Sequence, residues 1–217
     1  MTAPVAIHLK KGENVPLVSL SKDKPLTKVE VTLRWGVRTT TGEDFDPDAV
    51  AILTGSESSA GSFHKLLNNN PKNFIYAYSN ATSADQAVVH SGDDRTGDGS
   101  HVDGGAGIEG GGEMITVDLA NLDPACEHVY FLVSIDKADE RKQNFGQIAH
   151  CSITVNDGVT GDKLLSSELD EDYASETAMV LADIYRKDGG WKFKKIEQGY
   201  ASGLAGIVED FGMHAVD

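Results

Sequence analysis

Between Lys28 and Arg38 the chain alternates with a period of two: Val29, Val31, Leu33, Trp35 and Val37 are interleaved with Lys28, Glu30, Thr32, Arg34 and Arg38. Successive side chains of a strand point to opposite faces, so this pattern predicts a strand with one face on a core and the other in water. The same period runs through Phe74 to Tyr78, Gln86 to His90, Met114 to Leu119, Val129 to Ile135 and Ile148 to Val155. Val129-Tyr130-Phe131-Leu132-Val133 is nearly continuous, as expected of a central strand covered on both faces. Thr177 to Arg186 and Trp191 to Ile196 flank Lys187-Asp188-Gly189-Gly190, a hairpin signature because glycine supplies the positive φ of a tight turn. Val5 to Leu20 has room for one or two further strands.

Helix is scarce. Leu204, Ile207, Val208 and Phe211 fall at i, i+3, i+4 and i+7, which predicts a short amphipathic helix from Gly203 to Phe211, stopped by Gly212. Ala138 to Asn144 is a candidate for another helical turn. Many strands with so little helix predict a mostly β fold: a two-sheet antiparallel β-sandwich with one or two short helices, one of them near the C-terminus. The 217 residues suit a single domain over 1–217, since sandwiches often run to about 200–250 residues.

The chain carries 19 basic and 34 acidic residues, a formal net charge of −15. Such a surface repels nucleic-acid phosphates and anionic lipid, so neither nucleic acid nor direct membrane insertion is expected. The start, Met1-Thr2-Ala3-Pro4-Val5-Ala6, lacks a basic region followed by a long apolar stretch, and no window resembles a membrane span; a cytoplasmic location is expected. Cys126 and Cys151 are the only cysteines and make no disulfide framework.

The acids are concentrated in two loops. The first runs Glu43-Asp44-Phe45-Asp46-Pro47-Asp48, just before the apolar segment Ala49 to Leu53. The second, Gly92 to Gly112, holds nine of the 23 glycines together with Asp93, Asp94, Asp98, Asp103 and Glu109, and Glu113 follows at once. Calcium takes about six to eight oxygen ligands, and glycine lets backbone carbonyls turn toward an ion. Asp44, Asp46 and Asp48 project from one side of an extended segment, and Asp93, Asp94, Thr96, Gly97 and Asp98 offer a second dense set of oxygens. Without paired Cys or His ligands nearby, zinc is disfavoured; magnesium stays open, as does the plain reading of solvated turns, which Asp and Gly favour anyway. Known local motifs do not fit. With Asp44 at position 1 of an EF-hand loop, position 6 is Ala49 and position 12 is Gly55, where glycine and glutamate are required. A site here must be assembled from separated loops.

Several ordered motifs resemble the TerD family of tellurite-resistance and stress proteins. Asp44-Phe45-Asp46-Pro47-Asp48-Ala49 matches the family's D-F-D-x-D-A, and His90-Ser91-Gly92-Asp93-Asp94-Arg95-Thr96-Gly97-Asp98-Gly99 is similar to its H-x-G-D-N-x-T-G-x-G. Gln143-Asn144-Phe145-Gly146-Gln147, Ser175 to Val180, Gly190-Trp191-Lys192-Phe193 and Gln198-Gly199-Tyr200 continue the likeness, in order, from roughly Leu17 to Gly212. The resemblance implies a β-sandwich with calcium held by Asp44, Asp46 and Asp48, by Asn80, and by Asp93, Asp94, Thr96 and Gly97, with Asp98 and Glu113 as further candidates. There are departures. About nine extra residues follow Gly99, and the family's G-D-D-E reads Gly110-Gly111-Gly112-Glu113, so two expected aspartates are glycine. The family's I-H-D-A reads Ile135-Asp136-Lys137-Ala138, and Ser62 to Asn73 is an insertion.

The expected function is therefore a calcium-binding, non-enzymatic stress-response protein. One or two calcium sites would order a surface for a protein partner, with other tellurite-resistance or stress proteins as candidates. Two alternatives stand beside it. An enzyme would use the acids with His90 or His101, but no nucleophile elbow, phosphate loop or metal-hydrolase motif is present. A calcium-dependent lectin-like module would stack sugars on Tyr76, Tyr78 or Trp35, although Trp35 fits the alternating core face better.

Overall fold

The computed structural model describes residues 7, 9–21, 25–37, 45–93, 112–169 and 173–213. In chain order the strands are β1 (Asn14–Pro16), β2 (Lys28–Val37), β3 (Pro47–Ser58), β4 (His64–Leu66), β5 (Phe74–Tyr76) and β6 (Val88–His90). They continue as β7 (Gly112–Asp118), β8 (His128–Ile135), β9 (Ile148–Asp157), β10 (Lys163–Glu168), β11 (Ala178–Lys187) and β12 (Gly190–Tyr200). The α-helices among the described residues are α1 (Ala138–Arg141), a single turn, and α2 (Gly203–Asp210).

The strands form two antiparallel sheets. A seven-stranded sheet runs β1-β12-β11-β8-β3-β4, with β5 also on β3, and a five-stranded sheet runs β10-β9-β2-β7-β6. This is the sandwich that the alternation predicts. The inward positions of β2 (Val29, Val31, Leu33 and Trp35) are buried and pack with Ile115 and Val117 of β7 and Ile153 and Val155 of β9. From the other sheet they meet Ala49, Ala51 and Leu53 of β3 and Val129, Phe131 and Val133 of β8. Each such side chain stabilises the fold by about 1.5–3 kcal/mol relative to exposure.

β8 is covered on both faces. Its odd-numbered residues face the sandwich core, while Tyr130 and Leu132 join a second cluster with Val50, Ile52, Phe63, Ile207 and Phe211 beneath α2. This accounts for the nearly unbroken apolar run in its sequence.

Three elements differ from the sequence reading. β3 begins at Pro47, so Asp48 lies on the strand and pairs with Ser134 instead of sitting in a loop. β10 escapes periodicity because Leu164 and Leu165 are adjacent and the register shifts between Lys163 and Leu165. Within residues 62–73, where the sequence reading expects no strand, β4 extends the sheet from β3.

Candidate metal centre

At one end of the sandwich four strand ends converge. The start of β3 brings Asp46 and Asp48, the end of β8 brings Asp136, the loop after β6 brings Asp93, and β7 brings Glu113. Backbone bonds fix the assembly: Asp136 N–H donates to Asp46 O at 2.9 Å, and Ser91 N–H donates to Met114 O at 2.8 Å. Gly92, at φ +113°, makes the turn that carries Asp93 away from β6. Gly112 is required for another reason, because a Cβ there would lie 2.9 Å from the Leu33 carbonyl oxygen across the β2–β7 pair. The last glycine of the Gly110 to Gly112 run is thus a close backbone approach.

Asp46, Asp48 and Asp93 each offer a carboxylate oxygen within 4.8 Å of the others. Their Oδ1 atoms are buried, and that of Asp48 accepts no hydrogen bond. Burial pushes the Asp48 carboxyl up to about 8, with the negative charges of Glu113, Asp46, Asp93 and Asp136 adding to the effect. Carboxylates crowded this way repel one another unless a cation lies among them.

Glu113 stands behind this cluster. It occupies an inward position of β7, two residues before Ile115, and is fully buried. Its Oε2 accepts the Ala49 N–H at 2.6 Å and lies 3.3 Å from His90 Nε2. Gly92 N–H donates to His90 Nδ1 at 3.0 Å, so the ring proton sits on Nε2, which is also 3.0 Å from the Ala49 oxygen. His90 is therefore a buried strut between β6 and β3. On the outer side the Arg141 guanidinium of α1 lies 4.0 Å from Asp46 Oδ2 and 3.5 Å from Asp136 Oδ2.

The structure brings together Asp46, Asp48 and Asp93, with Glu113 adjacent, among the predicted site residues. Asp44, Asp94, Thr96, Gly97 and Asp98 lie outside the described residues, as do Asp103, Glu109 and His101. Asn80 lines the same groove as Asp48, and its Nδ2 donates to the Phe74, Lys72 and Pro71 carbonyls at 2.6, 3.0 and 3.4 Å. That side chain braces the 71–80 segment. Asp136 and Arg141 escaped the sequence reading, although Asp136 sits in the Ile135-Asp136-Lys137-Ala138 stretch that the TerD likeness flags.

A sandwich of two antiparallel sheets with an acidic centre of hard oxygen donors at one end defines the class. The TerD domain family model matches residues 5–211, and the chain belongs to that family. It is 36% identical to the tellurium resistance protein TerD of Serratia marcescens over 97% of this chain and 100% of that protein. It is 34% identical to general stress protein 16U of Bacillus subtilis (strain 168) over 96% of this chain and 98% of that protein. A solved structure of a homologue of telluride resistance protein (TerD) from Streptomyces coelicolor A3(2) shares the fold, with a TM-score of 0.59 and 22% identity over 88% of this chain and 99% of that one. The family is thus one of tellurium-resistance and stress-response proteins, and no helix among the described residues is long and apolar enough to cross a membrane.

Proposed function

We propose that this chain is a calcium-binding, non-enzymatic stress-response protein associated with tellurite resistance, working in the cytoplasm, whose filled acidic centre orders a surface for a protein partner. The observation that carries the reading is Asp48. Its half-buried carboxyl lies among four other carboxylates, and its buried Oδ1 accepts no hydrogen bond. A cation relieves that arrangement directly. The donor set suits calcium: Asp46, Asp48 and Asp93 supply three hard oxygens, and the sequence candidates Asp44, Asn80, Asp94, Thr96, Gly97 and Asp98 offer the others toward its usual six to eight. Glu113 adds buried negative charge next to the ion. Calcium contributes charge neutralisation and cross-linking of strand ends.

Two observations favour a non-enzymatic role. His90 is buried, held at both ring nitrogens and absent from the groove lining, so it is poorly placed as a base. Burial pushes both thiols, Cys126 and Cys151, up to about 12, which disfavours direct thiol chemistry with tellurite.

Isothermal calorimetry with calcium chloride tests the proposal. Wild-type protein is expected to bind in the micromolar range, about 10⁻⁷–10⁻⁵ M for a sensor-like site. Asp93→Ala and Asp46→Ala should each weaken binding at least about tenfold, roughly 1.4 kcal/mol. No heat at millimolar calcium from a folded protein would sink the calcium reading.

A further inference from the structure

Beside the acidic centre runs an open groove of about 1230 Å³, between α2 on one side and the 66–80 segment on the other. We propose that this groove is the docking site for a partner segment presenting lysine or arginine next to large apolar side chains.

The first argument is the width of the apolar stripe on α2. Ile207, with Phe211 just after the helix, is fully buried against the seven-stranded sheet. Leu204 and Val208 stay half-buried and line the groove. Two apolar residues would seat the helix; the other two extend its apolar face into the groove. Across from them stand Phe74, Tyr76 and Tyr78, and Tyr78 is 49% exposed, among the few large apolar side chains so exposed in the described residues. Tyrosines at the rim of an apolar trough are typical of protein interfaces, where one end of the ring packs and the other stays wet.

Charge supplies the second argument. Asp136, Asp139 and Glu140 line the groove against Lys72 and Lys137, and Lys137 Nζ is already 3.8 Å from Asp136. Asp139 and Glu140 are exposed. A cationic segment finds complementary charge along one wall, within a chain whose net charge of −15 steers it inward.

Size and backbone narrow the occupant further. The volume exceeds the roughly 300–1,000 Å³ of a small-molecule pocket, which fits several residues of a polypeptide better than a metabolite. Strand addition is blocked on the groove side of β5. Tyr76 N–H donates to Asn80 O at 3.0 Å, and the Phe74 carbonyl accepts Asn80 Nδ2. The occupant therefore docks through side chains, as an amphipathic segment in a groove does.

The probe is a short fluorescein-labelled leucine–lysine amphipathic peptide, followed by fluorescence anisotropy with calcium and again in EDTA. A leucine–glutamate peptide serves as the control. Neither the aromatic wall nor α2 depends on an ion, so failure of calcium binding leaves this test intact. Wild-type protein should bind the basic peptide and not the acidic one. The Leu204→Ser/Val208→Ser double variant should weaken binding at least about tenfold, and Asp139→Asn/Glu140→Gln about fivefold with a shallower salt dependence. Asp162→Asn/Asp188→Asn, an equal charge change at exposed positions away from the groove, should stay within about twofold. If the α2 pair fails to fold, the exposed Asp139/Glu140 pair decides. Equal weakening by the distant pair would reduce the effect to diffuse charge attraction and overturn the proposal. So would unchanged binding by the folded α2 pair. A dimer in sedimentation that the α2 pair dissolves would assign the groove to a second copy, and that too would overturn it.

Discussion

Asp48→Asn should make the metal-free protein more stable at alkaline pH and leave it nearly unchanged in acid. Folding carries Asp48 from its ordinary value of 3.8 up to about 8, so between those limits the folded state holds a proton that the unfolded chain releases. A state that binds more protons loses ground as pH rises, so this group's effect is loss of stability from about pH 4 to about pH 8. The full difference corresponds to an upper bound of about 6 kcal/mol. Asp48 is only half-buried, and water screens the repulsion, so about 2–3 kcal/mol is the realistic share. The neighbouring groups Glu113, Asp46, Asp93, Asp136, His90 and Arg141 are common to both proteins, and the difference between variant and wild type isolates Asp48. Urea unfolding in EDTA, followed by the emission of buried Trp35, gives the comparison at about pH 4 and about pH 8.5, the two ends of that window. The variant should gain about 2–3 kcal/mol at the higher pH and less than about 1 at the lower. Millimolar calcium should offset most of that advantage: at about 100 times its dissociation constant it adds about 2.7 kcal/mol to wild type and less to the variant. A variant–wild-type difference that does not change with pH would refute the reasoning, whatever calcium does.

Other outcomes follow from neighbouring geometry. Arg141→Gln removes a cation next to Asp46 and Asp136, and calorimetry should show calcium binding about tenfold tighter; Lys142→Gln, with the same charge change at an exposed neighbour, should move it far less. Glu113→Ala leaves the buried Ala49 N–H without its carboxylate, at a cost of about 1–3 kcal/mol in urea titrations, whereas Glu113→Gln should keep most of that stability and still weaken calcium binding. Cys126 and Cys151 should resist an aromatic disulfide reagent in the native protein at pH 8 and react only as fast as the chain unfolds, because burial holds both thiols at about 12.

The sandwich was legible in the sequence because each face of β2, β7, β8 and β9 meets one environment along its whole length, and period-two alternation reports that directly. The double-sided burial of β8 was legible for the same reason. β10 was missed because neighbouring Leu164 and Leu165 break the period at a register shift. The centre was legible in part. Asp46 and Asp48 share a side because they are two apart in extended chain, but their meeting with Asp93 depends on pairings across the molecule. Asp136 and Arg141 looked like ordinary strand-end and turn residues, and only the register Pro47↔Ile135 sets Asp136 beside Asp46. Asn80 is a ligand candidate through its amide oxygen, and its amide nitrogen donates to three carbonyls, a bracing role that its sequence position does not reveal.

The placement of the carboxylates decides what a bound cation can do. Asp46 and Asp48 hang from the seven-stranded sheet, Asp93 and Glu113 from the five-stranded one. An ion among them ties the two layers at an end where the core gives way to Glu113 and His90, both buried and polar. On the proposed calcium reading, loss of the ion would therefore weaken contact between whole sheets, not only the order of one loop. Asp48 and Asp136 also line the groove beside α2, so the same neutralisation changes the charge of that wall. On this geometry calcium should shift the unfolding midpoint of the entire domain and slow amide exchange in both β3 and β7. Protection confined to the residues around Asp93 would mean that the ion, where bound, is held by a single loop.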